Sequence, residues 1–258
     1  MISPLAYIHP EAKIGENCEI GPFCVIEKDV IIGDNNTLMN SVTLLPGTRM
    51  GNGNRLFPGA VIGAIPQDLK FKGEYTTAEI GDNNTLRENV TVNRGTAAKG
   101  RTVVGSNNLL MATVHVAHDA IVGNGCIIGN GTKLAGETVI DDFAILSANV
   151  LLHQFCRVGS YCMVGGGTRS AQSILPYSMV AREPASFCGL NLVGLRRRGF
   201  PPEVINQLHR AYQNIMGGGK LLDNLEKVKQ EIGMTPEITY ILSFIDDVAK
   251  RGFIRTNK

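Results

Sequence analysis

The chain has 258 residues, with Lys+Arg 25 against Asp+Glu 23 and a formal net charge of +2, which excludes a polybasic nucleic-acid binder and leaves any electrostatic recognition local. It is long enough to bury a core without disulfide staples, and 30 glycines with no tryptophan point to many turns around an interior that is not filled by aromatics. The opening MISPLAYIHPEAKIG lacks a charged stretch followed by an apolar one, and no apolar run approaches the ~18 residues of a membrane span, so a soluble cytoplasmic protein with no membrane insertion is expected.

From Ile8 onward the chain keeps a six-residue clock. Every sixth position as far as Val164 is Ile, Leu, Val or Met, except Asp68, Glu74 and Ala98. A Gly often follows, and the fifth position of each hexad is usually small or β-branched, as at Ala12, Cys18, Cys24, Val42, Ala60, Cys126, Ala144, Cys156 and Cys162. Period six is no helix period. It suits a short strand and a corner, repeated: the hexapeptide signature of a parallel β-helix, in which three hexads make one triangular coil. Strand side chains alternate, so the fifth residue and the next aliphatic one point inward, the sixth points outward, and positions two to four make the corner. At the usual strand spacing, about nine coils give a prism near 40 Å long. Five of the six cysteines fall in the small inward position, where free Cys packs as a compact hydrophobe, so neither a disulfide framework nor a zinc framework is expected.

Two segments lose the clock, 64–79 (AIPQDLKFKGEYTTAE) and 97–103 (AAKGRTV). Both read as loops thrown out from the prism, where function tends to sit. After about residue 175 the hexads stop, and 201–216, 220–232 and 235–251 show helical spacing, with Pro near two starts and Gly217 to Gly219 ending the first. The expected architecture is a mainly β chain: a hexapeptide-repeat parallel β-helix over 1–188 carrying the two loops, and a C-terminal α-helical domain over 189–258 capping an open end.

The histidines sit off the inward positions. His118 is third in its hexad, His115 sixth in the one before, and His153 second in another. With three hexads to a coil, His118, Gly136 and Gln154 stack at one corner, with His153 beside Gln154, so a polar cluster runs up one edge of the prism. His115 and His118 could supply two zinc ligands, but a catalytic zinc usually takes three protein ligands, and His153 lies two coils away, roughly 10 Å. General-base catalysis is the better reading: an imidazole with a pKa near 6.5 suits proton abstraction at neutral pH, and Asp119 is adjacent. There is no G-x-S-x-G elbow and no obviously activated cysteine, which weakens covalent catalysis. A substrate hydroxyl can attack directly while His118 takes its proton, and a backbone N–H at the Gly136 corner is a candidate oxyanion donor. By the same count Asn93 falls on a different corner from His118, so the two are expected to meet only across an interface or by way of a loop.

The motifs PQDLKFKGE, VTVNRGT, HVAHD, VLLHQFCRVG and NLVGLRRRGF, in this order, resemble the UDP-N-acetylglucosamine O-acyltransferases over essentially the whole chain. The resemblance implies a left-handed β-helix, a homotrimer with active sites between subunits, and no metal or dissociable cofactor. It implies transfer of an (R)-3-hydroxyacyl chain from acyl carrier protein to the 3-hydroxyl of UDP-GlcNAc, opening lipid A biosynthesis; a 3-amino sugar nucleotide is a variant acceptor. His118 matches the general base, Asp119 its supporting carboxylate and Gly136 the backbone donor. Asp68 and Lys70 match contacts to sugar and acyl chain; His115, His153 and Gln154 match substrate-binding positions; Asn191, Arg197 and Arg198 match nucleotide and phosphate contacts; Gly166 falls where acyl length is set. The chain departs from the pattern at Asn93 and Glu137, where members often carry His. A coenzyme A-dependent acetyltransferase, a zinc hydratase and a non-catalytic β-helical scaffold are the rival expectations.

Overall fold

Pairs of residues such as Ile127–Ile128 and Ile145–Leu146 form two-residue strands, too short to stand alone, and each gains its hydrogen bonds only by stacking on the coil above and below. In the computed structural model, which describes residues 1–255, these strands build three parallel sheets. The last three residues of the expected 189–258 unit lie outside the described residues. The first face has nine strands, from Tyr7–Ile8 to Arg169–Ser170; the second has eight, from Lys13–Ile14 to Arg157–Val158; the third has ten, from Glu19–Ile20 through Met163–Val164 to Ser178–Ala181 and Ser186–Leu190. The final pair is antiparallel, and its last strand runs across residue 188.

The clock positions are the core. Ile26, Leu44, Leu56, Ile62, Leu86, Leu110, Ile128, Leu134 and Leu146 are fully buried in one cluster with Cys24, Cys126 and Cys162. Burial pushes the Cys126 and Cys162 thiols up to about 12, so neither is a thiolate at neutral pH. The corners turn through the fourth hexad residue, which takes a positive φ in hexad after hexad, as at Asn35 (+58°), Asn107 (+60°) and Asp119 (+60°). Asn, Asp and Gly tolerate that region best, and they fill many of these corners, as at Asn17, Asp29, Gly53, Asn83 and Gly125.

A polar ladder also runs through the interior. Asn36, Asn54, Asn84 and Asn108 occupy fifth hexad positions and are buried. Asn54 Nδ2 donates to Asn36 Oδ1 at 3.1 Å and Asn84 Nδ2 to Asn54 Oδ1 at 3.0 Å, while Asn36, Asn54, Asn84 and Asn108 also donate to corner carbonyls of neighbouring coils. Each rung satisfies the next, which is what burial of an amide requires.

Register explains why the clock survives the two loops. Strand partners are offset by three hexads in regular coils (His115↔Lys133), by five across the first excursion (Val61↔Thr91) and by four across the second (Thr91↔His115). The insertions are therefore two hexads and one hexad long, whole multiples of the repeat. The clock lapses over 64–79 and 97–103, but Thr77–Ile80 and Arg101–Val104 are strands of the second face paired with each other. The excursions proper are 65–76 and 94–100. Both leave the prism at the corner between the first and second faces.

Beyond the prism, α1 (Leu192–Arg197), α2 (Pro202–Met216), α3 (Leu221–Ile232) and α4 (Pro236–Asp247) pack through Leu195, Leu208, Tyr212, Ile215, Val228, Ile241 and Phe244. Pro202 and Pro236 open α2 and α4, where the missing N–H has no intrahelical partner to lose. The last helix ends at Asp247, short of the expected 251. The chain then returns to the prism: Ser173 N–H donates to the Gly252 carbonyl, Ile254 N–H to the Ser173 carbonyl, and Ile254 enters the prism core, closing its end. Among the described residues no helix is long and apolar enough to cross a membrane.

Candidate active site

Three successive coils meet at the corner between the first and second faces: excursion 65–76, then excursion 94–100, then the tight turn carrying His118. The next two coils place Gly136 and Gln154 there. A methyl group built on Gly136 would lie 2.5 Å from His118 Cε1 and Nε2 and 3.0 Å from Gln154 Nε2, so the expected stack exists and only glycine fits its middle. Gln67, Asn93, His115, His118, Lys133, Gly136 and Gln154 line a groove of about 320 Å³.

His118 is outside the aliphatic core, as its hexad position implied, yet it is only 7 % exposed because the excursions cover it. Its Nδ1 lies 2.8 Å from Asp119 Oδ2. An ionised carboxylate only accepts, so Nδ1 carries the proton and Nε2 is left with its lone pair toward the groove. Adjacent residues in a strand would point to opposite faces; the positive φ of Asp119 breaks that alternation and brings the two side chains together. Asp119 is fully buried and fully engaged: Oδ1 accepts from the Thr96 N–H at 2.9 Å, Oδ2 from the Thr96 hydroxyl at 2.6 Å, and its own N–H donates to Thr102 Oγ1 at 2.8 Å.

Asp68 reaches the same point from the first excursion, with Oδ2 3.9 Å from His118 Nε2. Its Oδ1 accepts from the Lys70 N–H at 2.9 Å, a local turn that sets the loop tip and leaves Lys70 exposed. Glu74 ties the two excursions together, accepting from the Ala97 N–H at 3.0 Å. His115 lies on the first face, with Nδ1 2.7 Å from Thr91 Oγ1; burial, then the Lys133 charge and His118, hold its pKa below the usual histidine value. His153 contacts Arg251, from the segment that closes the prism. Among the described residues no hydrogen bond engages the Gly136 N–H, and no group of three or more His, Cys, Asp or Glu is placed to hold a metal ion.

Asn93 corrects the counting. It lines the groove with His118 within one chain, because the second excursion makes its coil four hexads long instead of three. It is buried, and its Nδ2 donates to the Ile65 carbonyl at 2.6 Å, anchoring the first excursion at its root. Glu137 is half-buried at the corner above His118, and its N–H donates to the His118 carbonyl at 3.0 Å.

The remaining expected residues lie elsewhere. Asn191, Arg197 and Arg198 line a second groove, about 650 Å³, against Ile145, Met163 and Met179 on the third face. The Asn191 side chain is engaged locally: Oδ1 accepts from Gly194 N–H as the cap of α1, and Nδ2 donates to the Tyr161 carbonyl. It thus sets the helix that presents the arginines. Arg198 lies 4.4 Å over the Phe143 ring, on an aromatic stack continued by Tyr161 and Tyr177. Gly166 sits on the corner between the third and first faces. Within one chain these residues do not join the His118 groove.

Sequence reading missed Thr96, Thr102 and Lys133. Thr96 is far from Asp119 along the chain, and its proximity emerges only when the inserted hexad is subtracted from the coil.

Fold and corner together define a hexapeptide-repeat transferase with a histidine–carboxylate pair facing a groove. Hexapeptide repeats of bacterial transferases match residues 1–28 and 101–136, and the second domain of UDP-N-acetylglucosamine O-acyltransferase matches 174–254. An acyl-[acyl-carrier-protein]–UDP-N-acetylglucosamine O-acyltransferase of Thermodesulfovibrio yellowstonii is 43% identical, over 98% of this chain and 99% of that protein. The crystal structure of a UDP-N-acetylglucosamine acyltransferase from Bacteroides fragilis superposes with a TM-score of 0.97 at 64% identity, covering 99% of this chain and 100% of the other. That of Francisella novicida gives 0.96 at 38% identity, covering 100% and 95%. The chain belongs to the UDP-N-acetylglucosamine O-acyltransferase family, and its fold is the left-handed parallel β-helix with a C-terminal helical domain.

Proposed function

We propose that the protein transfers an (R)-3-hydroxyacyl chain from acyl carrier protein to the 3-hydroxyl of UDP-GlcNAc, in lipid A biosynthesis. The observation that carries the mechanism is the His118–Asp119 pair, with Nε2 turned to the groove beside a glycine whose N–H has no hydrogen-bond partner among the described residues. His118 Nε2 takes the proton of the sugar hydroxyl as its oxygen attacks the thioester carbon. Asp119 stabilises the imidazolium, and the Gly136 N–H donates to the carbonyl oxygen as it becomes an oxyanion. Collapse breaks the C–S bond, and the departing thiolate recovers the proton from His118. No enzyme nucleophile is needed, consistent with the buried, unionised Cys126 and Cys162.

Asp68, Lys70, His115, His153 and Gln154 hold the acceptor and the start of the acyl chain. Arg197 and Arg198 hold the diphosphate, to which arginine forks bind strongly, and Gly166 leaves room for a long chain. These groups complete one site when a neighbouring subunit of a homotrimer brings its second groove to the His118 corner. The decisive experiment is transfer from 3-hydroxyacyl carrier protein to UDP-GlcNAc and to its 3-amino analogue, with products identified by mass. Activity on UDP-GlcNAc supports the reading; transfer only to the amine, or only from coenzyme A thioesters, overturns it. Mixing His118→Ala with Arg198→Ala subunits tests the assembly: mixed oligomers recover activity if the site is shared, and stay inactive if each chain is self-sufficient.

A further inference from the structure

Asp119 is fully buried, and the His118 ring alone does not fix how its carboxylate is aimed. Thr96, itself only 7 % exposed, contacts both of its oxygens. The hydroxyl of Thr96 accepts from the Ala98 N–H at 3.2 Å, so its own proton is directed at Asp119 Oδ2, 2.6 Å away. That oxygen is the same one that faces His118 Nδ1. The excursion carrying Thr96 is pinned in turn by Glu74 through the Ala97 N–H.

We propose that Thr96 is a positioning residue for the acyl transfer, acting through Asp119 to aim His118 and to set its basicity. The inference rests on His118 as the base. A carboxylate oxygen that accepts two hydrogen bonds spreads its charge between them and pulls less on the Nδ1 proton. Removing the hydroxyl leaves Oδ2 to His118 alone, which favours the imidazolium and frees the carboxylate to rotate about its remaining Thr96 backbone contact. Other charges near the ring are Asp68 from the first excursion, Lys99 (Nζ 3.5 Å from the Asp119 carbonyl), His115, Lys133 and Glu137. None of these shares an oxygen with the Nδ1 proton.

The test compares Thr96→Val, which keeps the shape without the hydroxyl, with Thr96→Ser, which keeps the hydroxyl. In Thr96→Val, kcat should fall about 10- to 100-fold, the scale of one hydrogen bond to a charged group, and the acid limb of the kcat/KM pH profile should move to higher pH. Thr96→Ser should keep both close to wild type. In an Asp119→Asn background Thr96→Val should cost little more, because the two act in one chain of contacts. A Val variant that loses thermal stability but keeps kcat and the acid limb overturns the inference, as does a Ser variant no better than Val, or full additivity with Asp119→Asn. If Thr96→Val does not fold, Thr96→Ser and Thr96→Ala in the Asp119→Asn background decide by the same additivity. The base reading fails separately, if His118→Ala keeps its activity.

Discussion

Two polar constructions stand within this β-helix, and they use their hydrogen bonds differently. In the Asn36–Asn54–Asn84–Asn108 ladder each amide is paired with its neighbour or with a corner carbonyl. At the His118 corner Asp119 is equally well paired, but among the described residues neither His118 Nε2 nor the Gly136 N–H, on successive coils of that corner, has a hydrogen-bond partner. The ladder converts polar groups into structure. The corner uses the same scaffold to hold two unsatisfied groups where a substrate can satisfy them, and that separates a stabilising network from a reactive one.

Substitutions should therefore split cleanly between the two regions. The largest effect belongs to His118→Ala: loss of a general base costs on the order of 10²–10⁴ in kcat with the thermal midpoint close to wild type, and a steady-state assay with a melting curve checks both. Next comes Gly136→Ala. Its methyl group would collide with the imidazole and with Gln154, and displacing the ring costs about 10² in rate; a crystal structure of the variant should show a rotated His118. Asn54→Ala reverses the pattern. It strands groups on both neighbouring rungs, at about 1–3 kcal/mol for each one left unpaired, so unfolding measured in denaturant should lose about 3 kcal/mol while kcat per folded molecule holds. A fall in kcat with no loss of stability would erase the distinction between the two networks.

The smallest effect is electrostatic. Burial holds the His115 pKa below its unfolded value of 6.5, so between the two values the unfolded chain binds more protons and stability rises with pH. The contribution is complete above about 6.5 and is lost as pH falls through that window toward the folded pKa. His115→Gln should flatten this part of the stability profile, measured as denaturant midpoint against pH from about 5 to 7.

Much of this was legible in the residues themselves. Aliphatic residues at a period of six can be buried only by a stacked coil, and counting three hexads at a time put His118, Gly136 and Gln154 together without coordinates. The same counting gave Asn93 the wrong corner, because an excursion's length is invisible to a clock that it leaves in phase, and of the two expected routes to His118 the loop is the one within the chain. The signal was nonetheless present: successive buried asparagines are spaced three, five and four hexads apart, the same lengths as the coils they belong to. Thr96 was illegible for a different reason. Its role depends on where a loop lands, and loop trajectories are set by contacts such as Asn93 to Ile65 and Glu74 to Ala97 rather than by periodicity.

The φ of +60° at Asp119 is shared by ordinary corners throughout the prism. Pairing a histidine with the carboxylate that follows it thus demands no backbone distortion peculiar to this site. Each turn of the coil is a vacant seat for such a dyad, and chemistry can be gained, lost or moved from edge to edge by exchanging two neighbouring side chains. Diversification of the scaffold then becomes a matter of which turns a nearby loop happens to shelter.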